Sequence, residues 1–272
     1  MTRWYKVSLL LSLFLLAGVA GVAAQTEDDR VISLLYLNSD EPLDYTFEGT
    51  NATLFFFRGA AGDVVDVSMT QFEDSTLDPA LVLLGPGGEV IAFDDDSGEA
   101  PLSSYIEGAE LPVDGEYLIV ASDATEFFSP IADDSTADGQ SFTLMVSGNS
   151  VEITPDDAFF DLNNGNISIG ESVEGYSDLE IPVYYFYLPL YAGETVDITT
   201  SDTDYDTLMM LFDPLGDRAD VNDDSEAGDL SSAILGYEAP EDGLYLIFVT
   251  GYTFLSQDYE GGNFTLNVTI TE

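Results

Sequence analysis

The chain has 272 residues, 52 of them acidic against 5 basic, for a net charge of −47 at neutral pH. That balance excludes nucleic acid as a partner, because phosphate contacts need clustered Lys and Arg, and it sets the chain against anionic membrane surfaces. Hydrophobic residues make up 45% and aromatics 12%, too much for a disordered acidic tail, while the absence of Cys and His removes disulfides, imidazole–zinc sites and His- or Cys-dependent catalytic triads.

The first element is a leader pattern. Arg3 and Lys6 precede an apolar run from Val7 to Ala20, and Val22-Ala23-Ala24 supplies the small-x-small site of a signal peptidase. The run is too short for a good membrane span and is soon followed by Glu27-Asp28-Asp29. A signal peptide over 1–24 is expected, cleaved after Ala24, with no stable membrane insertion. No cysteine follows it, which excludes a lipoprotein anchor. Past that point Arg30, Arg58 and Arg218 are the only cations. Such a charge repels itself, and salt or divalent cations relieve the repulsion. A high-salt habitat and calcium uptake by a secreted surface protein both fit it.

The rest of the chain repeats itself. Asp78 recurs as Asp206, Gly88 as Gly216, Asp95-Asp96-Ser97 as Asp223-Asp224-Ser225, Ile106 as Ile234, Pro112 as Pro240 and Tyr117 as Tyr245, all at one spacing of 128 residues. Two copies of one module are expected, 25–148 and 149–272, each held by its own core, with function sought first in what both keep. Strand periodicity runs through both copies. Val65, Val67 and Met69 alternate with Asp66 and Ser68, and Val196 and Ile198 flank Asp197. Tyr117-x-Ile119-x-Ala121 pairs with Tyr245-x-Ile247-x-Val249; Phe142, Leu144 and Val146 match Phe264, Leu266 and Val268. Turns at Ala61-Gly62-Asp63, Gly85-Pro86-Gly87-Gly88, Asp114-Gly115, Ala192-Gly193-Glu194 and Asp242-Gly243 separate the strands. The pattern predicts an all-β protein of two tandem, jelly-roll-like antiparallel β-sandwiches.

The order of these motifs resembles the bacterial pre-peptidase C-terminal (PPC-like) domain, whose usual pattern is YxFxxxAGxxVxV, then LYDxxGxxxAxDDD and LPxxGxYxVxV. The matching stretches are Leu54-Phe55-Phe56-Phe57, the Ala-Gly turn, Leu77 to Leu83, Gly85 to Gly88, Ile91 to Asp96 and Leu111 to Val120, and the second copy repeats the order from Tyr184. The resemblance implies a sandwich found beside secreted peptidases and normally not catalytic. Related collagen-binding modules of clostridial collagenases bind calcium and matrix protein. No peptidase domain accompanies the modules here, a departure from the usual arrangement.

The acids are the only candidate chemistry. Asp74, Asp78, Asp94, Asp95 and Asp96 correspond to Asp202, Asp206, Asn222, Asp223 and Asp224. A loop before one strand and a loop after its antiparallel neighbour bring Asp78 to Asp95 and Asp96, and Asp206 to Asp223 and Asp224. Calcium takes carboxylate and carbonyl oxygens of this kind on a bent loop, although the spacing is not that of an EF-hand. The other reading is that the aspartates solvate turns. Paired carboxylates also serve glycoside hydrolysis, but acids are so common here that close pairs arise by chance, so no enzyme is expected.

Phe55, Phe57, Tyr117, Phe186, Leu188 and Tyr245 fall on the inner face of a sandwich. Tyr184, Tyr185, Tyr187 and Tyr191 are denser than a core requires, so some point outward, either for β-propensity or to stack on sugar or peptide. Sequons stand at Asn51, Asn166, Asn263 and Asn267. Two functions follow. One is a secreted, non-catalytic binding or structural protein of the cell surface or extracellular matrix, calcium-dependent if the acids are ligands, with an extracellular protein or polysaccharide as partner. The other is an accessory protein that targets or stabilises a secreted peptidase or other hydrolase.

Overall fold

A computed structural model describes residues 22–25, 31–73, 75–98, 103–125, 137–153, 165–226, 229–256 and 259–271. The chain is all-β, and the described residues contain no helix. The strands are β1 (Val22–Gln25), β2 (Val31–Tyr36), β3 (Leu43–Thr46), β4 (Ala52–Gly59), β5 (Val64–Gln71), β6 (Pro79–Leu84), β7 (Val90–Asp94), β8 (Ser103–Glu110), β9 (Gly115–Asp123) and β10 (Ser141–Ser147). Then come β11 (Ser172–Tyr176), β12 (Tyr184–Leu190), β13 (Thr195–Ser201), β14 (Thr207–Phe212), β15 (Arg218–Asn222), β16 (Ala233–Glu238), β17 (Gly243–Gly251) and β18 (Asn263–Ile270). Residues 1–21 of the expected leader lie outside the described residues.

Each half is a sandwich of two sheets with the same strand order. Sheets β3-β10-β5-β8 and β4-β9-β6-β7 of the first half match β11-β18-β13-β16 and β12-β17-β14-β15 of the second, strand for strand. The first half carries β1 and β2 in addition, β2 joining the edge of β4 in parallel register. Local devices repeat as well. Gly108 and Gly236 hold φ near +64° and +66° at bulges of β8 and β16, and their amides donate to Asp66 and Asp197 at 2.7 Å. The Ala61 and Ala192 amides donate to Asp114 and Asp242, both at 2.8 Å, so these acids fasten turns. Residues 149–153 stay with the first half: the Asn149 side chain donates to Arg58 O, Ser150 to Asp63, and the Ile153 amide to Asn38.

Burial differs between the sheets, and the sequence reflects it. In β5, β10, β13 and β18 buried and partly exposed positions alternate, because one face is wet. In β4, β6, β9, β14 and β17 nearly every residue is buried. Their second faces are covered by the other half. Phe55, Phe57, Leu81, Leu83 and Ile119 line the interior of the first sandwich. Leu54, Phe56, Val82, Leu84, Leu118 and Val120 point the other way, into one continuous core shared with Tyr185, Tyr187, Met210, Phe212, Leu246 and Phe248. The expectation of a separate core for each module therefore gives way to a first-half core plus a second core that runs through the joint.

The same joint accounts for the surplus tyrosines. Tyr185 and Tyr187 do leave the interior of their own sandwich, but they are only 1% and 7% exposed, and the Tyr185 ring lies 4.8 Å from that of Phe248. Tyr184 stays inside, edge-on to Phe264 at 5.3 Å. Of the four, Tyr191 is the one left well exposed.

Candidate functional site

The acidic corner of each half is built by one hairpin. Leu81 pairs with Asp94 across β6 and β7, so Asp78, just ahead of β6, and Asp95 and Asp96, just after β7, lie at one corner. Met209 pairs with Asn222 in the second half, which sets Asp206 beside Asp223 and Asp224 in the same way. Backbone ties hold the first member of each set: the Asp78 carbonyl accepts the Ala124 amide at 2.6 Å, and the Asp206 carbonyl accepts that of Tyr252 at 3.0 Å. Asp74 lies outside the described residues.

The electrostatics of the two corners agree. Burial, then Asp123, Asp96 and Asp95, raise the Asp78 carboxyl above its ordinary range. Burial, then Asp224 and Asp223, raise that of Asp206. Each set of three acids is thus within mutual repulsion, and neutralising charge would relieve it. As they stand, however, no three acidic side chains among the described residues gather closely enough to hold a metal ion. Asp95 and Asp96 are exposed and would have to turn inward.

Asp94 has a different role from its neighbours. Its Oδ1 accepts the amides of Asp96, Ser97 and Tyr105 at 3.2, 3.0 and 2.7 Å. Burial opposes ionisation, but these donors and the Ser97 hydroxyl outweigh it and hold the carboxyl below its ordinary value. Asn222 does the equivalent work, its Oδ1 accepting the Ala233 amide at 2.7 Å. The position therefore needs an acceptor rather than a charge, which explains why it alone among the aligned acids changes to an amide. A groove of about 580 Å³ on β5 and β8, lined by Ser68, Thr70, Ser103, Tyr105 and Glu107, is not a shared feature, since Ala233 and Leu235 replace Tyr105 and Glu107.

The residues that sequence reasoning missed lie at the joint. The β6–β7 turn of the first half reaches the second, where Gly88 O accepts the Val183 amide at 3.2 Å. The equivalent β14–β15 turn reaches back, and Gly216 O accepts the Leu54 amide at 2.8 Å. Asp217 Oδ1 accepts Thr53 Oγ1 at 2.5 Å and Tyr45 OH at 2.9 Å. Its counterpart Glu89 acts on Tyr185, whose phenol burial, first, and that carboxylate, second, raise. Arg218, 1% exposed, donates to the Asn51 amide oxygen. The exchange is reciprocal, as in an isologous dimer folded into one chain. It also sets polarity. Val183 and Leu54 stand at the acidic ends of their sheets, so each half's turn lies at the other's acidic end. The two acidic corners consequently face opposite ends of the molecule, separated by about 20 Å or more, the length of a six-residue strand.

The fold and its paired corners define a tandem antiparallel β-sandwich. No family model and no curated protein matches the chain. Among solved structures it is similar to the pre-peptidase C-terminal domain of collagenase from Bacillus anthracis, at 15% identity and a TM-score of 0.32, over 39% of this chain and 93% of that one. The CUB1-EGF-CUB2 segment of human MASP-1/3 aligns at 8% identity and a TM-score of 0.20, over 92% of this chain and 99% of that one. Oxalate decarboxylase from Bacillus subtilis aligns at 10% identity and a TM-score of 0.17, over 85% and 72%. No helix among the described residues is long and apolar enough to cross a membrane.

Proposed function

We propose that the chain is an exported, non-catalytic binding and structural protein of the cell surface or extracellular matrix, a rigid connector with an equivalent, calcium-responsive acidic corner at each end. The observation that carries this reading is the repetition of one acid set at opposite ends of a single packed body. A protein that clamped one ligand with both copies would gain from corners facing the same way; opposed corners suit linking two partners. The lack of His and Cys leaves little machinery for catalysis.

Calcium is the ion this donor set favours, being oxygen only, flexible and anionic. Asp78, Asp95 and Asp96 would hold it in the first half, Asp206, Asp223 and Asp224 in the second. Binding requires Asp95 and Asp96 to turn toward Asp78, and the charge of the ion then offsets the repulsion among the gathered carboxylates.

Thermal unfolding in calcium, against sodium at matched ionic strength, tests the ion. Calcium at about 100 times its dissociation constant adds about 2.7 kcal/mol per site. The gain should halve when Asp95 and Asp96 become Asn, and vanish when Asp223 and Asp224 do so as well. An equal rise in sodium would reduce the corners to solvated turns. Pull-downs on polysaccharides and matrix proteins, with and without chelator, then identify the partner; a co-purifying secreted hydrolase would favour the accessory role instead.

A further inference from the structure

The β14–β15 turn, Asp213 to Asp217, closes on itself before it docks. Asp213 Oδ1 accepts the amides of Leu215 and Asp217 at 2.9 and 3.0 Å, and the Asp213 amide donates to Asp217 O at 2.8 Å. That closure aims the Asp217 carboxylate across the joint, at Thr53 on β4 and Tyr45 on β3. The surroundings are acidic or phenolic. Glu48 of the first half acts on Asp217, and Glu241, ahead of β17, acts on Asp213. Asp213 in turn acts on Tyr45, on Tyr237 of β16 and on Tyr245 of β17, and Asp220 of β15 also reaches Tyr237. Arg218 directs its guanidinium to Asn51 and favours ionisation of Asp220. Two partly buried carboxylates one turn apart strain the site when both are ionised.

We propose that this pair makes the joint proton-linked: mild acidification puts a proton on the Asp213–Asp217 pair and tightens the contact between the halves, and neutral pH loosens it. Burial first, then Asp217, push the Asp213 carboxyl up to about 6 from its ordinary 3.8, and burial raises Asp217 too. When the halves part and the pair is wetted, those values fall back. The closed joint thus binds more protons than the open one between the ordinary and the raised value. Closure is favoured as pH falls through that window and is weakened as pH rises above it. A complete return to the ordinary value would change the closing constant by about 100-fold, which bounds the effect from above.

Hydrogen exchange in the full chain reads the joint directly, because the Leu54 and Val183 amides donate across it at opposite ends. Corrected for intrinsic rate and referred to amides of the central strands β9 and β17, protection of both should rise by up to about 10-fold from neutral pH to about pH 5. Asp213→Asn keeps the acceptor and removes the charge, so it should show the acid level of protection throughout, without a step. Glu241→Gln, which leaves the turn intact, should move the step to lower pH. A flat wild-type profile, a step that survives Asp213→Asn, or a step at Leu54 without one at Val183 would overturn the proposal.

Discussion

Gly62 and Gly88 have nearly the same backbone, with φ of +88° and +92°, yet different surroundings. A Cβ on Gly62 would meet nothing within 4 Å, whereas on Gly88 it would lie 1.8 Å from the Val183 carbonyl oxygen. Gly62→Ala should therefore cost only the left-handed conformation, about 1 kcal/mol. Gly88→Ala should cost about 2–4 kcal/mol, because it also forces the turn off the second half and breaks a hydrogen bond across the joint. Chemical denaturation of the two variants checks the difference. Asn51 is a second such position. It is 0% exposed and accepts from the buried Arg218 guanidinium, so its sequon is closed to modification in the folded protein. Mass spectrometry after expression in a glycosylating host should find Asn51 bare, and Asn51→Ala should lower stability by about 2 kcal/mol through loss of a charge-assisted bond. Asn166 and Asn263 are exposed, whereas Asn267 is half-buried, its side-chain amide donating to Ser201 and to Thr265 O.

The β6–β7 hairpin illustrates what an element reveals from its sequence. Alternation and turn glycines place both strands, and antiparallel pairing is enough to bring Asp78 to the corner of Asp95 and Asp96. What the sequence hides is the division of labour among the acids. Asp94 looks like its neighbours but organises the loop by accepting three amides, and only the Asn at the equivalent position of the second copy hints at it. Asp94→Asn, which keeps an acceptor, should cost only what the charge adds, while Asp94→Ala should cost more, about 1–3 kcal/mol, by leaving those amides without their acceptor. Because its carboxyl is held below the ordinary range, the stability that Asp94 contributes is present above that range. It is lost as pH falls through the lowered value, opposite in sign to Asp213. Comparing the acid limb of wild-type unfolding with that of Asp94→Asn measures this contribution.

At the scale of the whole molecule, the repeat was legible and the joint was not. A fully apolar strand reads the same whether a sandwich or a neighbouring half covers its second face, and tyrosines that leave their own core look like exposed ones. Reciprocal hydrogen bonds at Gly88 and Gly216 and the shared cluster of Phe56, Leu118, Tyr185 and Phe248 predict that the halves unfold together. Calorimetry should give one transition for the wild type. Tyr185→Ala, which empties the joint at a cost of about 3–5 kcal/mol, should split it in two. The reciprocal seating of the turns reaches further than stability. Each turn has a docking strip on the opposite half, residues 181–183 for one and 50–54 for the other, so neither can lengthen or change shape alone. Among descendants of this duplication, insertions in the 85–88 turn should be accompanied by changes at 181–183, and those in the 213–217 turn by changes at 50–54. The two copies would then drift apart along paired tracks, each constrained by its partner as much as by its own fold.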